Sequence, residues 1–172
     1  MTNGPRRVVL ITGASSGIGR ATAELLAARG HRVFGGVRAV ATTRPLVGVE
    51  LVSLDVRDDA SAKACVEEMR SRAGRIDVLI NNAGVNLVGA VEETSISQAQ
   101  ALFDTNVIGA LRMIQAVLPG MRRQGTGLIV NISSILGASY QRRSWASMRA
   151  PNTLSKGCRN RSTTKCRVGM QR

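Results

Sequence analysis

With 172 residues, 44% of them hydrophobic, the chain is long enough for one domain with a sizeable core. It contains no run of 18 apolar residues, so we expect no membrane-spanning helix. Three cysteines and one histidine exclude a disulfide framework and a zinc site, so we expect no metal and a reducing, cytoplasmic setting. The net charge of +13 comes mostly from residues 138–172, which hold 9 Lys/Arg and no acidic residue, so it is not a nucleic-acid-binding signature of the whole chain.

The first predicted unit is a strand, a glycine-rich turn and a helix. Residues 8–11 form a short apolar run, typical of a strand buried on both faces. A turn with three glycines follows, and apolar residues at helical spacing then predict a helix that ends near Gly30. This unit places backbone N–H groups and the positive end of a helix at one point, which suits a dinucleotide pyrophosphate. The candidate cofactor-binding residues of the turn are Gly13, Ser15, Ser16, Gly17, Ile18 and Gly19.

The end of the second predicted strand, residues 31–37, bears on the choice of cofactor. A site for NAD would carry an acidic residue roughly 20 residues after the first glycine. The chain has Arg38 there, and no acid lies between Glu24 and Glu50. Arg38, alone or with Arg20, could pair with a 2′-phosphate, and a solvated surface arginine is the alternative. We therefore expect NADP, with NAD as the less favoured cofactor.

A third strand is predicted at residues 50–54, and Asp55 and Val56 separate it from a helix predicted at residues 58–73. On the residues alone, Asp55 is equally suited to start that helix. Residues 76–80 predict a fourth buried strand, which is followed by N-N-A-G at residues 81–84. Asparagine side chains such as that of Asn82 can tie two strand ends together, and the small pair Ala83 and Gly84 leaves room for a cofactor.

A long helical segment is predicted at residues 96–123, with Asn106 in an otherwise apolar stripe. A buried asparagine needs hydrogen-bond partners, and it could find them locally on its own helix. Residues 127–132 predict a fifth strand, which Ser133 and Ser134 end. Five strands that alternate with helices predict an α/β fold with a doubly wound parallel sheet and right-handed crossovers. We assign this domain to residues 1–137.

Three segments resemble the short-chain dehydrogenase/reductase family, and they occur in the family's order. They are T-G-x-x-x-G-x-G at residues 12–19, N-N-A-G at residues 81–84 and N-I-S-S-I-L-G at residues 131–137. The resemblance implies a Rossmann-like fold and hydride transfer between a nicotinamide cofactor and a carbonyl or alcohol carbon. The implied partner is therefore a small-molecule substrate, and we expect neither a nucleic acid nor a membrane.

The same resemblance implies roles for individual residues. Asp55 and Val56 would lie beside the adenine, and the carboxylate of Asp55 would accept hydrogen bonds there. Asn106 would distort its helix and hold a water molecule of the proton relay. Ser134 would hydrogen-bond the oxygen of the substrate on which charge develops. Ser134 and Asn106 are thus the candidate catalytic residues.

The tyrosine and lysine that complete the family's chemistry are missing from their expected positions. The tyrosine acts as general acid/base, and the lysine four residues later lowers its pKa and binds the nicotinamide ribose. Relative to Ser134 they belong 13 and 17 residues further on, where the chain has Ser147 and Pro151. Tyr140 is the chain's only tyrosine, and no lysine lies four residues after it.

Residues 138–172 show no helical or strand period and have a composition typical of disorder. They could be a basic tail that binds nucleic acid or anionic membrane, an inert solvated tail, or an out-of-frame product. Codons for residues 138–167, read from the third base of the Ala138 codon, permit the peptide VLPAPFMGVYARTKHAVEGLSESLDHEV. Its tyrosine and lysine recover both expected offsets from Ser134. We therefore predict a truncation by frameshift after Gly137, which leaves the fold incomplete at its C-terminus. The family's homo-oligomer is doubtful here because the next interface helix is lost.

Overall fold

The structure is a computed structural model that describes residues 5–133 and the backbone of residues 163–167. Its strands are β1 (Val8–Thr12), β2 (Arg32–Val37), β3 (Val49–Ser53), β4 (Val78–Asn81), β5 (Leu128–Ile132) and β6 (Thr163–Arg167). Its helices are α1 (Gly17–Ala28), α2 (Asp59–Ala73), α3 (Ile96–Phe103) and α4 (Gly109–Gln124), with a 3-10 turn at Val91–Glu93 and a π-helical segment at Asp104–Ile108.

The strands form one sheet in the order β3-β2-β1-β4-β5-β6, and β1 to β5 pair in parallel. The chain runs outward from β1 to β2 and β3, and then crosses to β4 on the other side of β1. Open α/β sheets bind ligands at such a reversal, beyond the carboxyl ends of the strands. The predicted doubly wound, Rossmann-like sheet is therefore confirmed, and its switch point lies between β1 and β4.

Helices cover both faces of the sheet because successive strand residues point to opposite faces. On one face α1 packs over Val9, Ile11 and neighbouring apolar residues. On the other face α2 and α4 pack over a core that includes Leu10 and Leu79. The helices contribute Val66 and Met69 from α2, and Met113, Val117 and Met121 from α4.

The predicted strand and helix ends agree with the structure to within about two residues. The carboxylate of Asp58 caps α2 by accepting a hydrogen bond from the backbone N–H of Ala60 at 2.9 Å. Asp58, and not Asp55, is therefore the residue that starts this helix. Gly74 ends α2 in the left-handed conformation with a φ of 75°.

The strands β4 and β5 are joined by their side chains as well as by their backbones. Asn81 lies directly opposite Asn131, and its Nδ2 donates to Asn131 Oδ1 at 2.9 Å. The same Nδ2 lies 3.5 Å from the carbonyl oxygen of Ala110 on α4. Because Ala110 belongs to α4, the buried side chain of Asn81 lies on the face of the sheet that α4 covers.

The sixth strand lies where the sequence predicts no regular structure. Thr163–Arg167 pairs antiparallel with β5, which places Cys166 opposite Ile129. Without β6, β5 would be the edge strand and would present a row of unpaired backbone groups, and pairing with them requires no particular side-chain pattern. Threonine also has a high strand propensity. The prediction is therefore wrong for these five residues, and residues 134–162 lie outside the described part of the chain.

The long predicted helix is continuous from Ile96 to Gln124, although it contains the π-helical segment. Its 29 residues and a mean hydropathy of 1.3 in its most apolar stretch make it the one helix among the described residues that could cross a membrane by length and composition. Core helices meet the same criterion. Because Met113, Val117 and Met121 are buried in the core with α2, we interpret the segment as a core helix.

Candidate dinucleotide-binding site

A cavity of about 770 Å³ lies at the carboxyl ends of the strands, beside the switch point between β1 and β4. This volume falls within the range of natural small-molecule sites. Every predicted cofactor-binding residue lines it: Gly13, Ser15, Ser16, Gly17, Ile18, Gly19, Arg38, Asp55, Val56, Asn82, Ala83 and Gly84. The structure therefore brings together residues that are up to 71 positions apart in the sequence.

The glycine turn lies between the end of β1 and the start of α1. Gly13 and Gly17 have φ values of 68° and 56°, in the left-handed region that disfavours other residues. A Cβ at Gly13 would lie 2.8 Å from the Cα of Ala83, and a Cβ at Gly19 would overlap the carbonyl oxygen of Gly13. A Cβ at Gly17 would meet nothing within 4 Å. Gly13 and Gly19 thus allow the turn to pack tightly, while Gly17 faces open space that a ligand can approach.

The first turn of α1 has the properties of an anion-binding site. Ser16 occupies the N-cap position, and its side chain makes no capping hydrogen bond. The first backbone N–H groups of a helix have no intrahelical partner, and the helix dipole adds a partial positive charge there. No acidic residue lies in this turn. A phosphate group therefore fits the donors that the turn presents.

Thr12 and Asn82 join the ends of β1 and β4 beneath the cavity. The Nδ2 of Asn82 donates to the carbonyl oxygens of Thr12 at 3.0 Å and Gly13 at 3.1 Å. The Oγ1 of Thr12 accepts from the backbone N–H groups of Asn82 at 3.0 Å and Ala83 at 2.9 Å. The predicted tie between strand ends is thus present. Sequence reasoning missed Thr12, although a buried hydroxyl between an apolar strand and a glycine turn needs partners.

At the predicted adenine end, the carboxylate of Asp55 is paired with Arg57. Asp55 Oδ1 lies 3.0 Å from Arg57 Nε, and Oδ2 lies 2.6 Å from Nη2. These hydrogen bonds lower the pKa of Asp55 to about 2, although partial burial opposes the shift and the charge of Arg38 assists it only slightly. Arg57 also lines the cavity and was not predicted to do so. The only signal in the sequence was a basic residue two positions after Asp55.

Arg38 and Arg20 lie in different surroundings. Arg38 is exposed at the end of β2 and lines the cavity. The guanidinium of Arg20 donates to the carbonyl oxygens of Arg44 at 3.2 Å and Pro45 at 2.7 Å, and it pairs with Glu24 at 3.1 Å. Arg20 therefore contacts the loop that follows β2, and its assistance to Arg38 stays a prediction.

Asn106 lies in the π-helical segment, and its side chain binds the main chain of Val85. Its Nδ2 donates to the carbonyl oxygen of Val85 at 2.9 Å, and its Oδ1 accepts from the backbone N–H of Val85 at 2.8 Å. Because Val85 lies 21 residues away, the alternative of a local helix-face hydrogen bond is wrong. Val85 follows the N-N-A-G segment and lines the cavity. A π-helical segment at Asn106 is a distorted helix, as the resemblance implies.

The second candidate catalytic residue, Ser134, lies outside the described residues, as do Tyr140, Ser147 and Pro151. The described stretch ends at Ser133, which follows β5 and is exposed. The role of Ser134 and the absence of the tyrosine–lysine pair therefore remain predictions from the sequence.

A family model described as short chain dehydrogenase matches residues 7–149. The chain belongs to this family. Short-chain dehydrogenases are oxidoreductases that use NAD(P) and act on small molecules, and their nucleotide-binding fold is Rossmann-like. The family membership agrees with the sheet order, the glycine turn and the cavity.

Two curated relatives illustrate the breadth of this similarity. The 3-ketodihydrosphingosine reductase of Bacteroides thetaiotaomicron is 41% identical in an alignment of 138 positions that covers 78% of this chain and 51% of the relative. Human retinol dehydrogenase 8 is 42% identical in an alignment of 146 positions that covers 76% of this chain and 45% of the relative. The chain thus spans about half the length of these two relatives.

Two solved structures are also similar to this chain over most of its length. A short-chain dehydrogenase from Streptomyces avermitilis has a TM-score of 0.77 at 39% identity, covering 89% of this chain and 59% of that one. A gluconate 5-dehydrogenase from Burkholderia cenocepacia, in complex with NADP and tartrate, has a TM-score of 0.77 at 29% identity, covering 85% and 60%.

Proposed function

We propose that this chain carries the NADP-binding part of an oxidoreductase that acts on a small carbonyl or alcohol compound. The observation that carries the proposal is the cavity at the switch point, which joins a glycine turn, an uncapped helix start and two arginines. Bound NADP would supply the hydride chemistry of the complete enzyme. The residues of this chain bind and orient it.

Each part of the cavity has a role in this proposal. The backbone N–H groups at the start of α1 hold the pyrophosphate, with Gly17 as the point of closest approach. Asn82 and Thr12 keep the two strand ends at a fixed separation beneath it. Asp55 and Val56 form the wall at the adenine end.

The preference for NADP rests on charge at that end of the cavity. Arg38 and Arg57 line it together with Asp55, so the ionised groups sum to one positive charge, and residues 38–48 between β2 and β3 contain no acidic residue. A 2′-phosphate gains charge-assisted hydrogen bonds from guanidinium groups, whereas the 2′-hydroxyl of NAD gains little from them. NAD is therefore expected to bind more weakly.

Titration of the purified chain with NADP and NAD tests this proposal. We expect NADP to bind more tightly, and we expect Arg38→Asp to reverse the order because an acid would then repel the 2′-phosphate and accept from the 2′-hydroxyl. The exposed Arg122→Asp on α4 adds the same charge change away from the cavity and should leave the order unchanged. Tighter binding of NAD by the unmodified chain would contradict the proposal.

We further propose that the chain as written binds the cofactor without turning a substrate over. The support is the presence of Ser147 and Pro151 where the family's spacing requires tyrosine and lysine. Codon degeneracy permits an alternative reading frame with both residues, and a single-base change after Gly137 would then account for their loss. Sequencing the encoding DNA over codons 130–150 separates a frameshift from a genuine basic tail.

A further inference from the structure

Helix α4 contacts the adenine wall of the cavity through Arg112. The guanidinium of Arg112 donates to the carbonyl oxygen of Val56 and to the carboxylate of Asp59, and it lies 3.5 Å from the carboxylate of Asp104. The side chain is only 16% exposed. Arg112 thus joins acceptors from the loop after β3, the start of α2 and the π-helical segment. It does not itself line the cavity.

Gly109, three residues before Arg112 on α4, packs against the same residue of the wall. A Cβ at Gly109 would lie 2.9 Å from Cγ2 and 3.0 Å from Cβ of Val56, which is closer than side-chain atoms normally approach. Val56 is buried. The start of α4 therefore holds Val56 at two points, its carbonyl oxygen and its side chain.

The same part of the helix also contacts the cavity lining at Val85. Asn106 binds both backbone groups of Val85, and Asp104, which Arg112 contacts, begins the π-helical segment. Residues 104–112 therefore connect the adenine wall at Val56 with the wall that follows the N-N-A-G segment.

We propose that Arg112 is a positioning residue for the adenine end of the cofactor. By fixing the main chain of Val56, it sets the surface against which the adenine rests, although it makes no contact with the ligand. The inference rests on the proposed NADP-binding function. A purely structural tie between α2 and α4 would lower stability without any selective effect on the adenine end.

The test uses the full chain and two probes that report different ends of the site. Adenosine 2′,5′-bisphosphate, measured by calorimetry well below each melting temperature, reports the adenine end. The emission spectrum of NADPH at saturation reports the surroundings of its nicotinamide. The variants are Arg112→Leu, Arg112→Lys and Gly109→Ala, and the control is Arg122→Leu, which removes an exposed arginine from the same helix.

We expect Arg112→Leu to weaken bisphosphate binding about three- to tenfold, which is comparable to the net contribution of one ordinary hydrogen bond. Arg112→Lys should lose less because one ammonium group can still reach the carbonyl of Val56. Gly109→Ala should weaken binding to a similar extent by displacing Val56, while the alanine itself favours the helix. Arg122→Leu should bind like the unmodified chain. The emission of saturated NADPH should be the same in all variants.

Gly109→Ala decides the question if Arg112→Leu does not fold. Unchanged bisphosphate affinity in the variants that fold overturns the inference, whatever their melting temperatures. A shifted NADPH emission at saturation also overturns it, because the perturbation would then extend over the whole site. If the unmodified chain binds no bisphosphate, the proposed preference for NADP fails, and the inference fails with it.

Discussion

Replacing Gly19 with alanine tests whether the glycine turn is built around a contact that admits no side chain. The added methyl group would overlap the carbonyl oxygen of Gly13 and the Nδ2 of Asn82. One of these atoms belongs to the main chain, and the other donates two hydrogen bonds, to Thr12 and Gly13. Neither can move without breaking the tie between β1 and β4.

The magnitude follows from these contacts. Loss of the two Asn82 hydrogen bonds costs about 1 kcal/mol each, and overpacking of a close contact costs roughly 1–3 kcal/mol. Alanine returns about 1 kcal/mol through its higher helix propensity. We therefore expect Gly19→Ala to lower the free energy of unfolding by about 2–4 kcal/mol. Because the start of α1 shifts with residue 19, NADP affinity should fall as well.

The matched control is Gly120→Ala in α4, where an added Cβ would meet nothing within 4 Å. The same substitution should there raise the free energy of unfolding by up to about 1 kcal/mol. Urea unfolding followed by circular dichroism measures both variants, and Gly19→Ala should lower the midpoint by more than about 1 M. If Gly19→Ala were as stable as the unmodified chain, or if both variants were destabilised equally, the packing argument would be refuted.

Three further predictions use the same chain. Asp55→Asn should be less stable than the unmodified chain at pH 7, and the difference in stability should shrink as the pH falls from about 5 toward 2. The reason is that the folded-state pKa of about 2 lies below the ordinary value, so protonation at low pH removes the ion pair with Arg57. A stability difference independent of pH in urea unfolding would contradict this. Restoring the alternative frame after Gly137 should produce hydride transfer that the present chain lacks. Changing the recovered tyrosine to phenylalanine should then lower the rate of hydride transfer about 10²–10⁴-fold. Turnover by the present chain would contradict the frameshift. Val130 and Ile132 of β5 are only half-buried, and exposed apolar surface of this kind should make the chain self-associate. Val130→Thr should therefore reduce light scattering, and a monodisperse monomer of the unmodified chain would contradict this.

Local patterns in the sequence were sufficient for the parallel sheet and for the cofactor-binding lining. Apolar runs, glycines and short motifs each act within a few residues, and these determined β1 to β5, the glycine turn and the N-N-A-G segment. Thr12, Arg57 and Arg112 were missed as parts of the site. The important contacts of Thr12 and Arg112 join residues 70 and 56 positions away, respectively, for which sequence spacing carries no signal.

Two other differences have physical causes of the same kind. The guanidinium of Arg20 binds the carbonyl groups of Arg44 and Pro45, 24 and 25 positions away, and the sequence carries no signal for these contacts. The strand β6 depends on free backbone groups at the edge of β5, which are a property of the sheet and not of the segment that joins it.

The amide contact between the buried Asn81 and the half-buried Asn131 has a consequence for how the last parallel strand is aligned. If β5 slipped by one residue, the side chain of Asn131 would move to the opposite face, and the amide of Asn81 would face an apolar neighbour. A buried amide without its partner costs roughly 1–3 kcal/mol. Hydrophobic burial of β5 comes mainly from Ile129, because Leu128, Val130 and Ile132 on the other face are half-buried. The two asparagines therefore add a polar contact that fixes the alignment of β5, and with it the point where the chain emerges at Ser133.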